Sequence, residues 1–179
     1  MNKEPTRRWV IANVVLMQAG WFACVLGAAS GQPWFGTAIS AAIVAWHLWR
    51  APNAGAELRL VVFALLLGAG FDALMLAAGA VRFSNGQWAD WFTPHWMLAL
   101  WATFAVSLNV SLRWLHGRLP LAALLGVVAG PLSFLAGVRL GAASFVDTSL
   151  AIGMLAIGWG LAMPALLLLA QRNDGVVGT

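Results

Sequence analysis

Residues 93–118 read TPHWMLALWATFAVSLNVSLRWLHGR, and this stretch decides how the fold is interpreted. Thr93 is a helix N-cap candidate and Pro94 suits the first helical position, and about twenty mostly apolar residues follow. A segment of that length and composition is typical of a membrane-spanning helix. Ser107 and Asn109 would lie inside the hydrocarbon and therefore need hydrogen-bond partners within the protein.

The composition of the whole chain is that of an integral membrane protein. Of its 179 residues, 61% are hydrophobic and 9% are charged, and the mean hydropathy is +0.83. The net charge is +4, but the basic residues are scattered rather than grouped in a stripe, so no nucleic-acid partner is expected. The single cysteine, Cys24, excludes an internal disulfide and is interpreted as a small packing residue.

Apolar runs separated by turn residues predict an all-α membrane protein with one domain, residues 1–179, and six transmembrane helices. The predicted helices cover residues 9–27, 33–50, 58–80, 94–115, 119–139 and 149–170. A weak recurrence of glycine followed by bulky and small residues leaves open an arrangement as three helical hairpins. The connection at residues 81–92 is expected to lie along the membrane surface, and the final NDGVVGT is expected to be a frayed tail.

The basic residues also predict an orientation. Eight of the ten Lys and Arg lie in the N-terminal tail, in the loops after the second and fourth helices, or at the C-terminus. Cytoplasmic loops of membrane proteins carry an excess of Lys and Arg. Both termini are therefore expected in the cytoplasm.

Asp72 lies in the interior of the third predicted helix, roughly 10 Å below the predicted outer face. An ionised carboxylate at such a depth costs about 2.5–3.5 kcal/mol, so it must be paired, protonated or facing water. Arg139, at the outer end of the fifth helix, is the expected partner because its long side chain can reach down. Two interpretations stay open: a functional pocket, and an ion pair that only fixes helix packing.

Polar and aromatic residues of the outer half define a candidate ligand pocket consisting of Asp72, Arg139, His95, Trp101 and Ser133. A second group is interpreted as structural, with hydrogen bonds joining the first and fourth helices: Asn13, Gln18, Ser107, Asn109 and Ser111. No residue can be assigned a catalytic role. Neither a cofactor nor a metal site is expected, because motifs for these are missing and the three histidines are predicted on opposite faces of the membrane.

The stretches GWFACVLGAASGQPW and HWMLALWATFAVSLNVSLRWL resemble a family of small bacterial inner-membrane proteins known only as a domain of unknown function. The resemblance covers residues 9–172 and implies a multi-pass protein of the inner (plasma) membrane. Members of that family are often encoded near cyclopropane-fatty-acid-synthase-like enzymes and stress-response regulators. The resemblance therefore implies a role in membrane-lipid modification or envelope stress, with membrane lipids and lipid-modifying enzymes as partners.

Three classes of function stay open. The leading expectation is a binding or accessory protein for a lipid or another hydrophobic small molecule. A membrane-embedded lipid-modifying enzyme would instead use Asp72 as a proton donor or acceptor. A small transporter would need Asp72 to be accessible to water.

Overall fold

The computed structural model of the chain describes residues 4–177 and is mostly helical (72%). Its elements, in chain order, are α1 (Arg7–Ala29), α2 (Pro33–Arg50), α3 (Ala54–Ala77), β1 (Val81–Phe83), α4 (His95–Ala105), α5 (Leu119–Arg139), β2 (Ala143–Phe145) and α6 (Thr148–Arg172). A single turn of 3-10 helix, Arg113–Leu115, precedes α5.

Four helices, α1, α3, α5 and α6, are long and apolar enough to cross a membrane. The shortest of them, α5, has 21 residues, and at about 1.5 Å per residue it matches a hydrocarbon core of about 30 Å. This is consistent with a membrane protein. Of the other described helices, α2 has 18 residues and α4 has 11, so the prediction of six spans is only partly supported.

The helices pack as two hairpins, α1–α2 and α5–α6, with the pair α3 and α4 between them. α1 packs against α2 and α5 packs against α6, while α4 contacts both α2 and α3. β1 and β2 pair antiparallel, with Val81 opposite Phe145, and close one end of the bundle, the strand end. At the opposite, terminal end, where α1 begins and α6 finishes, Trp9, Val110 and Val176 form a small apolar cluster.

Two glycines let α3 and α5 approach the aromatic rings of α4 and α6. Trp101 of α4 and Trp159 of α6 stack with their ring centroids 4.7 Å apart and their planes 4° apart. A Cβ atom at Gly68 of α3 would overlap the Trp101 ring, and one at Gly130 of α5 would overlap the Trp159 ring. The two stacked indole rings therefore lie between two glycines, and the four residues come from four different helices. We call this arrangement the indole stack; its order is Gly68 (α3), Trp101 (α4), Trp159 (α6) and Gly130 (α5).

The fourth helix is shorter than predicted. The prediction was a helix over residues 94–115, whereas α4 covers His95–Ala105. Residues 106–112 then form successive turns that are largely buried and lead into Arg113–Leu115. The polar residues of this segment account for the difference.

Side chains around residue 107 compete with the hydrogen bonds of a continuous helix. The Asn13 amide Nδ2 donates to the Val106 carbonyl at 3.0 Å, and the Ser107 hydroxyl donates to the Phe104 carbonyl at 2.6 Å. Ser and Asn side chains commonly offer the backbone such alternatives. Ser107 and Asn109 are both fully buried and both hydrogen-bonded, so the prediction that they need partners within the protein is confirmed.

The residues after α6 are packed, so the prediction of a frayed tail is wrong for residues 173–177. Gly175 and Val176 are buried, and the Asn53 N–H donates to the Gly175 carbonyl at 3.0 Å. The same hydrogen bond joins the tail to the start of α3. The last two residues of the predicted tail lie outside the described residues.

α3 begins earlier than predicted, at Ala54 instead of residue 58, and ends at Ala77 instead of residue 80. The early start follows from a cap, because the Asn53 side chain accepts a hydrogen bond from the Ala56 N–H at 3.1 Å. The extension places Glu57 in the first turn of a helix, whereas the sequence interpretation left it in a loop.

The connection after α3 combines a strand with exposed aromatic residues. Val81–Phe83 forms β1, and Trp88 and Trp91 further on are 67% and 72% exposed. That exposure is compatible with the predicted position of this segment at a membrane surface.

Gly68→Ala is expected to lower the free energy of unfolding by about 1–3 kcal/mol, because its Cβ would overlap the Trp101 ring. Gly70→Ala is the matched control, since it lies in the same helix and a Cβ there has no atom within 4 Å. That control should be neutral or stabilising by up to about 1 kcal/mol. Unfolding of the purified protein in detergent, followed by circular dichroism, measures both. Equal stability of the two variants would contradict the close contact at Gly68.

Candidate functional site

A cavity of about 610 Å³ lies between α1, α4, α5 and α6. Its lining extends from Leu115, beside the terminal end, to Ala143 in β2 at the strand end, so the cavity follows the long axis of the bundle. Ligand pockets commonly enclose about 300–1,000 Å³. Most lining residues are apolar or aromatic, and the polar ones are Gln18, Asp72, Thr103 and Ser133.

Asp72 of α3 is fully buried and lines this cavity. Its carboxylate Oδ2 accepts a hydrogen bond from Trp101 Nε1 at 2.9 Å. Its other oxygen, Oδ1, has no hydrogen-bond partner among residues 4–177. The carboxyl group is therefore held on one side by the indole stack and is free to accept a hydrogen bond on the other.

Trp159 of α6 supplies a second polar atom without a partner. Its Nε1 is buried and has no acceptor in the described part of the chain. The ring is fixed on both sides, because it stacks on Trp101 and meets the Phe104 ring edge-on at 5.3 Å. A buried polar group left without a hydrogen bond costs about 1–3 kcal/mol. A hydroxyl group could relieve either cost, because it can donate to a carboxylate oxygen or accept from an indole N–H.

The cavity reaches the outer surface of the bundle between α1 and α5. Phe22 and Leu132 line it and are 50% and 59% exposed. A hydrogen bond from Trp21 Nε1 to the Ser133 hydroxyl, 3.0 Å long, crosses between the two helices. Because α1 and α5 are both of membrane length, this opening would face lipid.

The expected ion pair between Asp72 and Arg139 is wrong. Arg139 is exposed at the last residue of α5 and, among the residues the structure describes, forms no ion pair with Asp72. The indole N–H of Trp101 is closer in the fold and takes the place of the cation. The buried carboxyl is therefore stabilised by a neutral donor.

His95 also lies away from the cavity. Its Nδ1 is 2.7 Å from the Thr37 hydroxyl, and its ring stacks on Trp34 with centroids 4.0 Å apart. It begins α4, is 6% exposed and contacts α2 through Thr37. Of the predicted pocket residues, the cavity brings together Asp72, Trp101 and Ser133.

The predicted polar cluster between the first and fourth helices is found in part. The Ser111 hydroxyl donates to Asn13 Oδ1 at 2.6 Å, so Asn13 joins α1 to the segment after α4. Gln18 is exposed and lines the cavity instead. Asn109 turns to a different partner, donating from Nδ2 to Glu57 Oε1 at 2.9 Å.

Sequence reasoning missed the network around Glu57. Glu57 and His47 are 0% and 1% exposed, and His47 Nε2 lies 2.9 Å from Glu57 Oε2. Glu57 Oε1 also accepts from the Gly175 N–H at 2.7 Å. Asn53 as an N-cap followed by an acidic residue in the first turn is the signal that could have placed Glu57 in α3.

The remaining cysteine, histidine and acidic side chains form neither a reactive thiol site nor a metal site in the described part of the chain. Cys24 is fully buried, and its Sγ lies 3.3 Å from the Ser40 hydroxyl. Across residues 4–177, no group of three or more His, Cys, Asp or Glu side chains is arranged to hold a metal ion.

Comparisons with known proteins give one match. A family model described as "Protein of unknown function (DUF2878)" matches residues 10–165. No curated protein and no solved structure matches the chain.

Trp101→Phe is expected to lower the free energy of unfolding by about 1–3 kcal/mol more than Trp159→Phe, because only Trp101 donates to the buried carboxylate. Both substitutions remove an indole from the same stack, so the loss of ring area is matched. Chemical unfolding in detergent measures the difference. In an Asp72→Leu background that difference should disappear, and its persistence there would contradict the role given to the hydrogen bond.

Proposed function

The chain belongs to the family described as "Protein of unknown function (DUF2878)", and we propose that it binds a lipid or another hydrophobic small molecule in the cavity beside the indole stack. One observation carries this proposal: a mostly apolar cavity is lined by Asp72 and Trp159, and each of these residues has a buried polar atom, Oδ1 and Nε1, without a partner among residues 4–177. Binding sites for small molecules commonly combine apolar walls with a few polar groups that fix orientation.

The shape of the cavity favours an elongated ligand. An acyl chain would lie along the bundle axis, between the aromatic walls of α4, α5 and α6, and would enter through the opening between α1 and α5. A hydroxyl at its polar end would donate to Asp72 Oδ1 or accept from Trp159 Nε1. The ligand class that fits these features is an acyl lipid with a free hydroxyl group, such as a monoacylglycerol.

The same proposal gives the protein an accessory role in the inner membrane of a bacterium. Holding a single lipid beside a buried carboxyl suits membrane-lipid modification or envelope stress, in which membrane lipids and lipid-modifying enzymes would be its partners. The resemblance of the helix-one and helix-four stretches to a family of inner-membrane proteins supports this role. The cavity is independent support for the lipid.

Gly137→Leu is expected to weaken ligand binding by about tenfold or more, because Gly137 lines the cavity and a Cβ there has no atom within 4 Å. The added side chain would occupy ligand space without displacing the backbone. Losing the burial of about two methylene groups of the ligand, at about 0.8 kcal/mol each, accounts for a change of that order. The probe is a monoacylglycerol with a dibrominated stearoyl chain, and binding is followed by quenching of tryptophan fluorescence in detergent.

Gly153→Leu is the matched control for that experiment. Gly153 lies inside α6 and does not line the cavity, and a Cβ there likewise has no atom within 4 Å. Its affinity for the probe should equal that of the unaltered protein. If both leucine variants bound the probe with equal affinity, the cavity would be ruled out as the binding site.

A lipid profile of the host by mass spectrometry tests the role in lipid modification. Deletion of the gene is expected to change at least one lipid species. The Gly153→Leu protein should restore that species and the Gly137→Leu protein should not. Identical profiles in the wild type and the deletion strain would contradict the accessory role. They would not contradict lipid binding in the cavity, which the quenching experiment tests separately.

A further inference from the structure

A second cavity, of about 350 Å³, lies at the terminal end of the bundle, where α1 begins and α2 ends. It is separate from the lipid cavity and shares no residue with it. Two of its lining residues are arginines and none is acidic; the lining consists of Thr6, Arg8, Trp9, Ala12, Trp46 and Arg50.

Arg50 lies beside two aromatic rings that line this cavity. The Arg50 Cζ atom lies 5.8 Å from the centroid of the Trp9 ring and 6.0 Å from that of Trp46, within reach of a cation–π interaction. Contacts of that kind use the face of the guanidinium and leave its N–H groups available at the edge. Among residues 4–177, neither Arg8 nor Arg50 forms an ion pair with a carboxylate.

Trp9 adds a buried donor that lacks an acceptor. Its side chain is 9% exposed, and its Nε1 has no hydrogen-bond partner among the described residues. The N-terminus of α1 lies at the same place, with Thr6 as its N-cap, and contributes partial positive charge. Two arginines, a tryptophan with an unpartnered indole N–H and the N-cap residue of α1 therefore line one small space.

We infer that this second cavity binds the phosphate group of a membrane phospholipid. Arginine donors in fork geometry match phosphate oxygens, and an oxygen of the same group can accept from Trp9 Nε1. A lipid is the source that fits, because the cavity is at the end of a helix of membrane length and is bordered by two tryptophans, the residues typical of the headgroup layer. Basic pockets at helix ends are known to bind such headgroups.

Binding of dioleoyl-phosphatidylglycerol to the purified protein, measured by native mass spectrometry, tests the inference. Arg50→Gln and Arg8→Gln are each expected to weaken binding by about tenfold or more, the usual effect of losing a hydrogen bond to a charged group. Arg172→Gln is the matched control, because it removes the same charge from an exposed arginine at the same end of the bundle and should leave the affinity unchanged. Both test residues are exposed, so a melting curve for each variant separates loss of binding from loss of fold.

Three results would overturn the inference. Equal weakening by Arg172→Gln would mean that general charge attraction, not this cavity, holds the lipid. Equal affinity for dioleoylglycerol, which lacks the phosphate, would exclude phosphate recognition. Inorganic phosphate binding as tightly as the phospholipid would show that the site takes a soluble anion and that the membrane source is wrong.

Discussion

The hydrogen bond from Trp101 to Asp72 is the contact on which the centre of the bundle depends. Trp101 can reach the carboxylate of α3 only because Gly68 lets its ring lie flat on that helix. Its other face receives Trp159, which lies against Gly130 of α5. One polar contact thereby fixes the separations of α3, α4, α6 and α5, and with them the walls of the larger cavity.

The two fully buried acidic residues of this protein differ in how completely they are hydrogen-bonded. Glu57 is surrounded by donors from His47, Asn109 and the Gly175 backbone. Asp72 has the Trp101 indole as its donor, and its other oxygen has no partner in the described part of the chain. Buried polar groups are generally satisfied, and an exception needs an explanation. Glu57 therefore behaves as part of the framework, whereas the second oxygen of Asp72 is the group that we propose a ligand would contact.

Apolar run lengths predicted most helices because burial in lipid requires them, and they located α2 and α5 to the residue. The same signal failed after Ala105, where hydropathy continues but Asn13 and Ser107 redirect the backbone. Such competition depends on a residue of another helix, so no local pattern reveals it. Of the pocket residues expected from the sequence, Asp72, Trp101 and Ser133 line one cavity, and their role in binding stays a prediction.

What the sequence could not supply was the choice of partner. Charge alone favoured Arg139 for Asp72, yet the nearer neutral donor is used, since the position of α4 brings Trp101 to the carboxylate. Glu57 was overlooked for a related reason: its donors come from chain positions 10, 52 and 118 residues away. Contacts of that range are properties of the assembled bundle.

The docking of Gly175 on Glu57 has a consequence for biosynthesis. Glu57 enters the membrane region early in translation, but the backbone N–H that completes its hydrogen bonding lies 118 residues further along the chain. Until Gly175 has left the ribosome, the Glu57 carboxylate lacks one of its donors and the contact between α3 and the segment after α6 cannot form. Closure of this end therefore comes after the synthesis of α6, and it is a late step in the folding of the bundle.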